Sequence, residues 1–133
     1  MSRVPKLFAQ SRIVLGVGTI GHCRDFCSLK MRDFDAPMSG SLYLAQSNPD
    51  LDVLYENRQE IVTYRSVGEC VETARYLLEA PAVRESIAKR GWWRAVTSHT
   101  WRGRFSGLLD ILRGTGSTSP LFPSTVPPTS GVI

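Results

Sequence analysis

The chain has 133 residues, of which 42% are hydrophobic and 21% charged, and its formal net charge is +4. This balance is typical of one globular domain and excludes a fibrous or wholly disordered chain. No apolar run approaches the roughly 18 residues that a membrane-spanning helix needs, and the amino terminus lacks the apolar block of a secretory signal. The three cysteines are too few for a disulfide framework, so we expect a cytoplasmic protein.

Three short runs in the first half of the chain predict β-strands. Arg12–Val17 is apolar and β-branched, as in a buried parallel strand. Residues 41–46 (SLYLAQ) and 60–64 (EIVTY) are the other two candidates, with a turn or helix start predicted at Asn48-Pro49-Asp50 between them. Strands separated by helices imply right-handed crossovers and a parallel sheet. We therefore predict an α/β fold, a partial Rossmann-like three-layer domain whose small parallel sheet has about three to four strands.

The clearest helical pattern covers residues 66–79, where apolar side chains recur at helical spacing. Ser66 and Glu69 form a capping-box signature at the start of this helix. The predicted apolar stripe consists of Val67, Cys70, Val71, Ala74, Leu77 and Leu78.

Two further helices complete the helical carboxy-terminal half. Pro81 begins the first of them, which runs to about Val96. It contains Gly91, which marks either a close approach to another element or a weak point of the helix. Thr100 is a good N-cap for the second, residues 101–112. The last twenty residues, 114–133, are rich in Pro, Ser, Thr and Gly and carry no charge. We predict a folded domain over 1–113 and a disordered tail over 114–133.

Basic residues concentrate near the end of the folded part. Residues 84–113 hold seven Lys or Arg against two acidic residues, whereas residues 1–83 hold nine against ten. A solvated helical face is one interpretation, and a surface for phosphate or an acidic partner is the other. With Trp92, Trp93 and Trp101 as stacking surfaces the segment would be a nucleic-acid-binding module. We disfavour that reading because we expect two of these tryptophans in the core.

Two patterns around residue 20 suggest ligand sites that we discount. Gly16–Gly21 matches GxGxxG after a predicted strand, the pattern of a dinucleotide site. Such a site requires a helix at the third glycine, and no helical apolar stripe follows, so we interpret the segment as a glycine-rich loop after an edge strand. His22, Cys23 and Cys27 have metal-ligand spacing, but a structural zinc site needs four ligands. We predict no metal site.

Residues 30–46 (KMRDFDAPMSGSLYLAQ) place two basic residues before an acidic one on a short predicted helix. Arg32 and Asp35 would be neighbours on that helix, as a local ion pair or as a nucleotide site with the cation at phosphate and the carboxylate at ribose. Residues 30–51, together with residues 60–81, 83–96 and 99–105, resemble the carboxy-terminal portion of group 1 glycosyltransferases, close to the CgeB-like spore-maturation type. The resemblance runs in order from about Leu15 to Leu112.

The resemblance implies the donor-binding half of a GT-B enzyme, which transfers sugar from a nucleotide-diphosphate sugar to an acceptor. Asp35 takes the place of the family's ribose-binding glutamate, whereas Cys27 stands where broader relatives have another glutamate, and there the match fails. The implied donor or nucleotide contacts are Lys30, Arg32, Asp35, Ser39, Gly40, Ser41 and Tyr64. We assign no catalytic residue and no cofactor besides the nucleotide sugar, which is a substrate.

The same resemblance leaves activity open, because in such enzymes the acceptor site comes largely from the amino-terminal half. We expect the chain to be inactive without a separate amino-terminal half, since transfer requires donor and acceptor to be held in line. The alternative is a non-catalytic interaction module that docks on such a half or forms a homodimer. A nucleic-acid-binding module is the less favoured third reading, and His99 is expected to have a structural or capping role.

Overall fold

The computed structural model describes residues 3–21 and 23–114, with the backbone alone for residues 23–26. The elements are α1 (Val4–Gln10), β1 (Ile13–Gly16), β2 (Thr19–Ile20), β3 (Cys23–Cys27), α2 (Arg32–Met38), β4 (Leu42–Gln46), α3 (Pro49–Leu54), β5 (Val62–Tyr64), α4 (Val67–Glu79), α5 (Pro81–Ser98) and α6 (Trp101–Leu112). The predicted tail lies outside the described residues from position 115 onward. Within the described ranges, no helix combines the length and apolar character needed to cross a bilayer.

The central sheet has three parallel strands in the order β1-β4-β5, which confirms the predicted α/β class. Ile13 pairs with Leu42, and Leu44 pairs with Val62, so β4 is hydrogen-bonded on both sides. The strand β1 lies at an edge of this sheet, as predicted. Two elements were not predicted: the short helix α1 and the antiparallel hairpin β2-β3, which forms a second sheet.

Helices cover both faces of the sheet, because alternate residues of β4 point to opposite sides. Tyr43 and Ala45 belong to the core formed with α2, α3 and the end of α5, whereas Leu42 and Leu44 belong to the core formed with α4 and the start of α5. All four are buried, which explains the continuous apolar run in the sequence. The predicted three-layer arrangement is therefore present.

The predicted helix starts are confirmed by side-chain caps. The Ser66 hydroxyl accepts a hydrogen bond from the Glu69 amide at 3.1 Å, and Thr100 accepts one from the Gly103 amide at 3.2 Å. The Glu69 carboxylate reaches back to the Arg65 amide at 2.7 Å, one residue before the position that a capping box uses. Each cap satisfies a backbone N–H that has no acceptor within its own helix.

The predicted helix α4 is confirmed, but only half of its apolar stripe is buried or packed against the core. Leu77 is buried and Cys70 and Ala74 pack against the core, but Val67 is 80% exposed and Val71 is 50% exposed. Leu78 is also exposed. Val71 and Leu78 line an open groove together with Ile13 and Leu15 of the edge strand β1, so this part of the apolar face is not covered by another element of the described residues.

The expected burial of two tryptophans is also wrong. Trp92 and Trp93 are 39% and 37% exposed, and Trp101 is 60% exposed. Trp101 stacks on Phe105 of the same helix, with ring centroids 5.7 Å apart. Helical periodicity placed these rings on helices correctly, but it does not determine which helix face is covered by the rest of the protein.

Gly91 of α5 is a point of close approach, which confirms the first of the two alternatives predicted from the sequence. A Cβ at this position would collide with the backbone carbonyl oxygen of Glu60. We expect Gly91→Ala to lower the free energy of unfolding by about 2 kcal/mol, because backbone must move to make room. Urea unfolding followed by circular dichroism measures this loss. Gly68→Ala in α4, where an added Cβ meets only an ordinary contact with Ser66, is the matched control and should not destabilise; equal losses in both variants would contradict the prediction.

Candidate functional site

The first turn of α2 lies toward the carboxyl edge of the parallel sheet. The helix is followed after three residues by β4, which starts at the amino edge, so α2 runs back from the carboxyl edge toward the amino edge. Consistent with this position, the Arg32 guanidinium approaches the carbonyl of Leu15, near the carboxyl end of β1, at 3.4 Å. Ligands of open parallel sheets bind at this edge, and the amino end of α2 lies there.

Asp33 is the buried carboxylate of α2 and fixes this first turn to the sheet. It is 5% exposed, accepts a hydrogen bond from the Lys30 amide at 2.5 Å and accepts another from the Tyr43 hydroxyl. Burial, with the adjacent Asp33 carboxylate, raises the pKa of Tyr43 far above its ordinary value, so the phenol stays a donor. Our reading of the sequence missed Asp33; the available signal was a carboxylate three residues after Lys30 that can cap the helix start.

Asp35 is exposed, and its carboxylate has no hydrogen-bond or ion-pair partner among the described residues. It lines a cavity of about 280 Å³ between α2 and α6, which we call the α2–α6 cavity. The other lining residues are Met31, Phe34, Met38, His99, Thr100, Trp101 and Arg104. This volume is just below the roughly 300–1,000 Å³ that is typical of ligand pockets, so the cavity has room for a small ligand or for one part of a larger ligand.

The wall opposite Asp35 carries an arginine and a buried histidine that our sequence analysis did not place in the site. The Arg104 guanidinium lies 4.5 Å from the centre of the Phe34 ring and so links α6 to α2. His99 is 3% exposed, and its Nε2 lies 3.0 Å from the Leu54 carbonyl, to which it donates. Residues 99–105 (HTWRGRF), which carry part of the family resemblance, contain both residues, but the sequence does not show that they lie next to α2.

The His99 ring is neutral at pH 7. Burial is the main cause that lowers its pKa from 6.5 to about 4; the hydrogen bond with Leu54 opposes this shift, and the Arg104 and Arg94 guanidiniums add to it. The ring packs edge-on against Tyr55, with centroids 4.8 Å apart. These contacts agree with the expected structural role of His99. Because the ring is neutral, Asp35 and Arg104 are the charged residues among those that line the cavity.

Lys30 and Arg32 flank the same end of α2 but do not line the α2–α6 cavity. The Lys30 ammonium donates to the Ser28 hydroxyl at 2.7 Å, and Arg32 is exposed apart from its long contact with Leu15. Arg32 and Asp35 form no ion pair within the described part of the chain. The structure therefore places the two cations beside the amino end of α2 without an ion pair to Asp35.

The other predicted site residues make internal contacts. At the far end of α2, the Ser39 hydroxyl donates to the Ala36 carbonyl at 2.6 Å, and Gly40 has a φ of 84°, which closes the turn into β4. The Ser41 hydroxyl contacts the Phe8 and Ser11 carbonyls and so ties α1 to β4. These three residues are one helix length, about 10 Å, from Lys30, so the structure does not bring the two groups together.

Tyr64 lies at the carboxyl end of β5, and its side chain is part of the core on one face of the sheet. It is 8% exposed, and its hydroxyl donates to the Gly16 carbonyl at 2.9 Å. Burial is the main cause of its raised pKa. Tyr64 therefore packs in the core, and its hydrogen bond links β5 to β1 across the central strand β4.

The glycine-rich loop after β1 does not form a dinucleotide site. The Gln46 carboxamide oxygen accepts hydrogen bonds from the amides of Gly18 at 3.1 Å and Thr19 at 3.3 Å. The strands of the β2-β3 hairpin follow, in place of the helix that the fingerprint requires. The edge position of β1 agrees with the interpretation, but the segment is a loop only in part, because Thr19–Ile20 forms the strand β2.

The suggested metal ligands are only partly described. Within residues 3–21 and 23–114 no three His, Cys, Asp or Glu side chains cluster as a metal site. His22 lies outside the described residues, and the side chain of Cys23 is likewise not described. Cys27 is half-buried at the end of β3 with a free thiol. The absence of a metal site therefore stays a prediction.

Comparison with known proteins gives one match. The model of a family described as glycosyl transferase-like matches residues 1–110. A search of curated proteins and a search of solved structures each found no significant match. The match spans α1 through most of α6 and includes every residue that lines the α2–α6 cavity.

Proposed function

This chain belongs to the glycosyl transferase-like family, and on that premise we propose that it is a donor-binding domain, which holds a nucleotide-diphosphate sugar. The observation that carries the proposal is Asp35, an unpartnered carboxylate within the described residues, on the wall of the α2–α6 cavity. It stands where the resemblance to CgeB-like GT-B enzymes places a ribose-binding acid. A carboxylate accepts two hydroxyl donors at once, which suits the two hydroxyls of a ribose.

Lys30 and Arg32 bind the diphosphate in this proposal. Both lie at the carboxyl edge beside the first turn of α2, and Arg32 is exposed there. Sugar transfer breaks the bond between the anomeric carbon and the diphosphate, which departs with the electron pair, and forms a bond to the acceptor oxygen. Cations beside the departing diphosphate stabilise its charge, so no metal is needed. Ser39, Gly40, Ser41 and Tyr64 have no donor contact in this arrangement, because their side chains or turn geometry serve internal contacts.

The acceptor side of the reaction is supplied by a separate amino-terminal half. The described residues include an acid for ribose and cations for diphosphate, and in-line transfer also requires an oriented acceptor. The chain alone therefore binds donor without turning it over. We place this activity in the cytoplasm, where the three cysteines stay reduced.

Calorimetric titration of the purified chain with UDP, GDP and ADP sugars tests the proposal. One of the three should bind, and Asp35→Asn should weaken that binding about tenfold, because a charge-assisted hydrogen bond becomes a neutral one. Asp52→Asn removes the same charge from an exposed position on α3 and should leave the dissociation constant unchanged.

Two results would overturn the proposal. The first is a folded chain, verified by circular dichroism, that binds none of the three donors. The second is an Asp35→Asn variant that binds as tightly as the wild type, since Asp35 is the proposed ribose contact. A reduced affinity in both aspartate variants would attribute the effect to net charge and would also remove the support for this site.

A further inference from the structure

The helix α6 presents an apolar face that the described part of the protein leaves uncovered. Trp101, Phe105, Leu108, Leu109 and Leu112 share one side of the helix by their spacing. Their exposed fractions range from 46% for Leu109 to 73% for Leu112. None of the residues of α6 is buried, and its less exposed positions, Arg104 and Gly107, lie on another side. The helix therefore contacts the rest of the described protein through the side that carries Arg104 and Gly107, and not through its apolar face.

The basic residues of segment 84–113 divide into two groups. Four of them have internal contacts: Arg84 with the Leu77 carbonyl, Arg90 with the Gln59 carbonyl, Arg94 with the Leu54 carbonyl, and Arg104 with the Phe34 ring. Arg102 and Arg113 at α6 and Lys89 on α5 are exposed, and their side chains have no hydrogen-bond or ion-pair partner among the described residues. Two of the three cations that remain available to a partner therefore lie at α6.

These two arginines lie next to the apolar face. At 100° per residue, Arg102 and Arg113 fall close to Leu109 on the edge of the face, while Asp110 falls on the opposite side of the helix. Arg104 borders the other edge. A helix with Trp, Phe and Leu on one face and arginines at its borders has the composition of helices that lie in a membrane interface. The long arginine side chains can follow the apolar surface and reach the phosphate layer.

We propose that α6 binds the surface of an anionic lipid bilayer, with its apolar face among the acyl chain ends and Arg102 and Arg113 on the lipid phosphates. Charge complementarity selects this occupant: a second copy of the chain would bring like charges from both α6 helices to one interface. Nucleic acid fits less well, because Leu108, Leu109 and Leu112 form much of the face and offer no ring for base stacking.

Cosedimentation of the full chain with lipid vesicles tests the proposal. The chain should bind vesicles of phosphatidylcholine and phosphatidylglycerol in equal parts, bind pure phosphatidylcholine more weakly, and lose affinity as salt is raised. The double variant Arg102→Gln, Arg113→Gln should reduce partitioning about 30-fold. The double variant Leu108→Gln, Leu112→Gln should reduce it at least about tenfold.

Two matched double variants serve as controls, since each removes the same chemistry from another exposed surface. Arg65→Gln with Arg75→Gln removes two exposed charges, and Leu7→Gln with Val53→Gln removes two exposed aliphatic side chains. Both should partition like the wild type. None of the substituted residues lines the α2–α6 cavity, so donor titration of every variant separates this proposal from the proposed function.

Several outcomes would overturn the bilayer proposal. One is a loss of partitioning in the Arg65, Arg75 variant equal to that of the Arg102, Arg113 variant, which would reflect net charge alone. Another is the absence of vesicle binding by a folded chain. Concentration-dependent dimerisation that the Leu108, Leu112 variant abolishes, or oligonucleotide binding that it abolishes, would assign α6 to a different partner.

Discussion

Replacing Asp33 with alanine is expected to lower the free energy of unfolding by about 3 kcal/mol, the largest stability loss for a single side chain of α2. The variant leaves two donors, the Lys30 amide and the Tyr43 hydroxyl, without the carboxylate that they share. Each lost hydrogen bond to a buried charged group costs about 1.5–3 kcal/mol, and part of this is recovered when the charge no longer has to be buried. Urea unfolding measures the loss.

Asp35 provides the matched comparison, since it is two residues away on the same helix. Asp35 is exposed and its carboxylate has no partner within the described residues, so Asp35→Ala should change stability by less than about 0.5 kcal/mol. The two aspartates should therefore separate stability from donor affinity, with Asp33 controlling the first and Asp35 the second. Equal destabilisation by both substitutions would contradict the structural assignment of the buried carboxylate.

Acidification is expected to destabilise the protein through His99. The pKa of this ring is about 4 in the folded protein and 6.5 in an ordinary environment. Between these values the unfolded chain binds the proton and the folded protein does not, so stability is complete above pH 6.5 and falls as the pH decreases toward 4. The full difference is about 3 kcal/mol, because the charged ring would lie buried beside Arg94 and Arg104.

The variant His99→Gln isolates this effect, because glutamine can still donate to the Leu54 carbonyl and has no charged form. Carboxylates also titrate in this range, so the informative quantity is the difference between the wild-type and variant unfolding free energies as a function of pH. That difference should change by about 3 kcal/mol. Parallel curves for the two proteins would show that the pKa of His99 is the same in the folded and unfolded states. That result would contradict the burial of the ring described above.

The sheet and the later helices were predictable because their signals are local. β-branched runs predict strands, and Ser66 and Thr100 cap the helices that they precede. The close approach at Gly91 was also predictable. Glycine destabilises the interior of a helix, so its presence there indicates that a larger side chain would not fit. The hairpin β2-β3 was not, because its strands have no clear alternation of apolar and polar residues.

The candidate site was predictable only for the residues of one motif. Segment 30–46 indicated Lys30, Arg32 and Asp35, but the choice of Asp33 as the buried acid depends on Tyr43, ten residues away on β4. Arg104 reaches α2 only through the packing of α6 on Phe34. Periodicity likewise predicts which face of α4 is apolar, but the extent to which that face is covered depends on where the sheet ends.

The contact between Gln46 and the loop after β1 has a consequence for anion binding. The amides of Gly18 and Thr19 both point at the Gln46 carboxamide oxygen, so a phosphate that approached them would compete with an acceptor held in the same molecule. Only the fraction of molecules in which Gln46 has swung aside can bind, and the apparent affinity falls by that fraction. Gln46 therefore weakens any binding of an anion to these two amides.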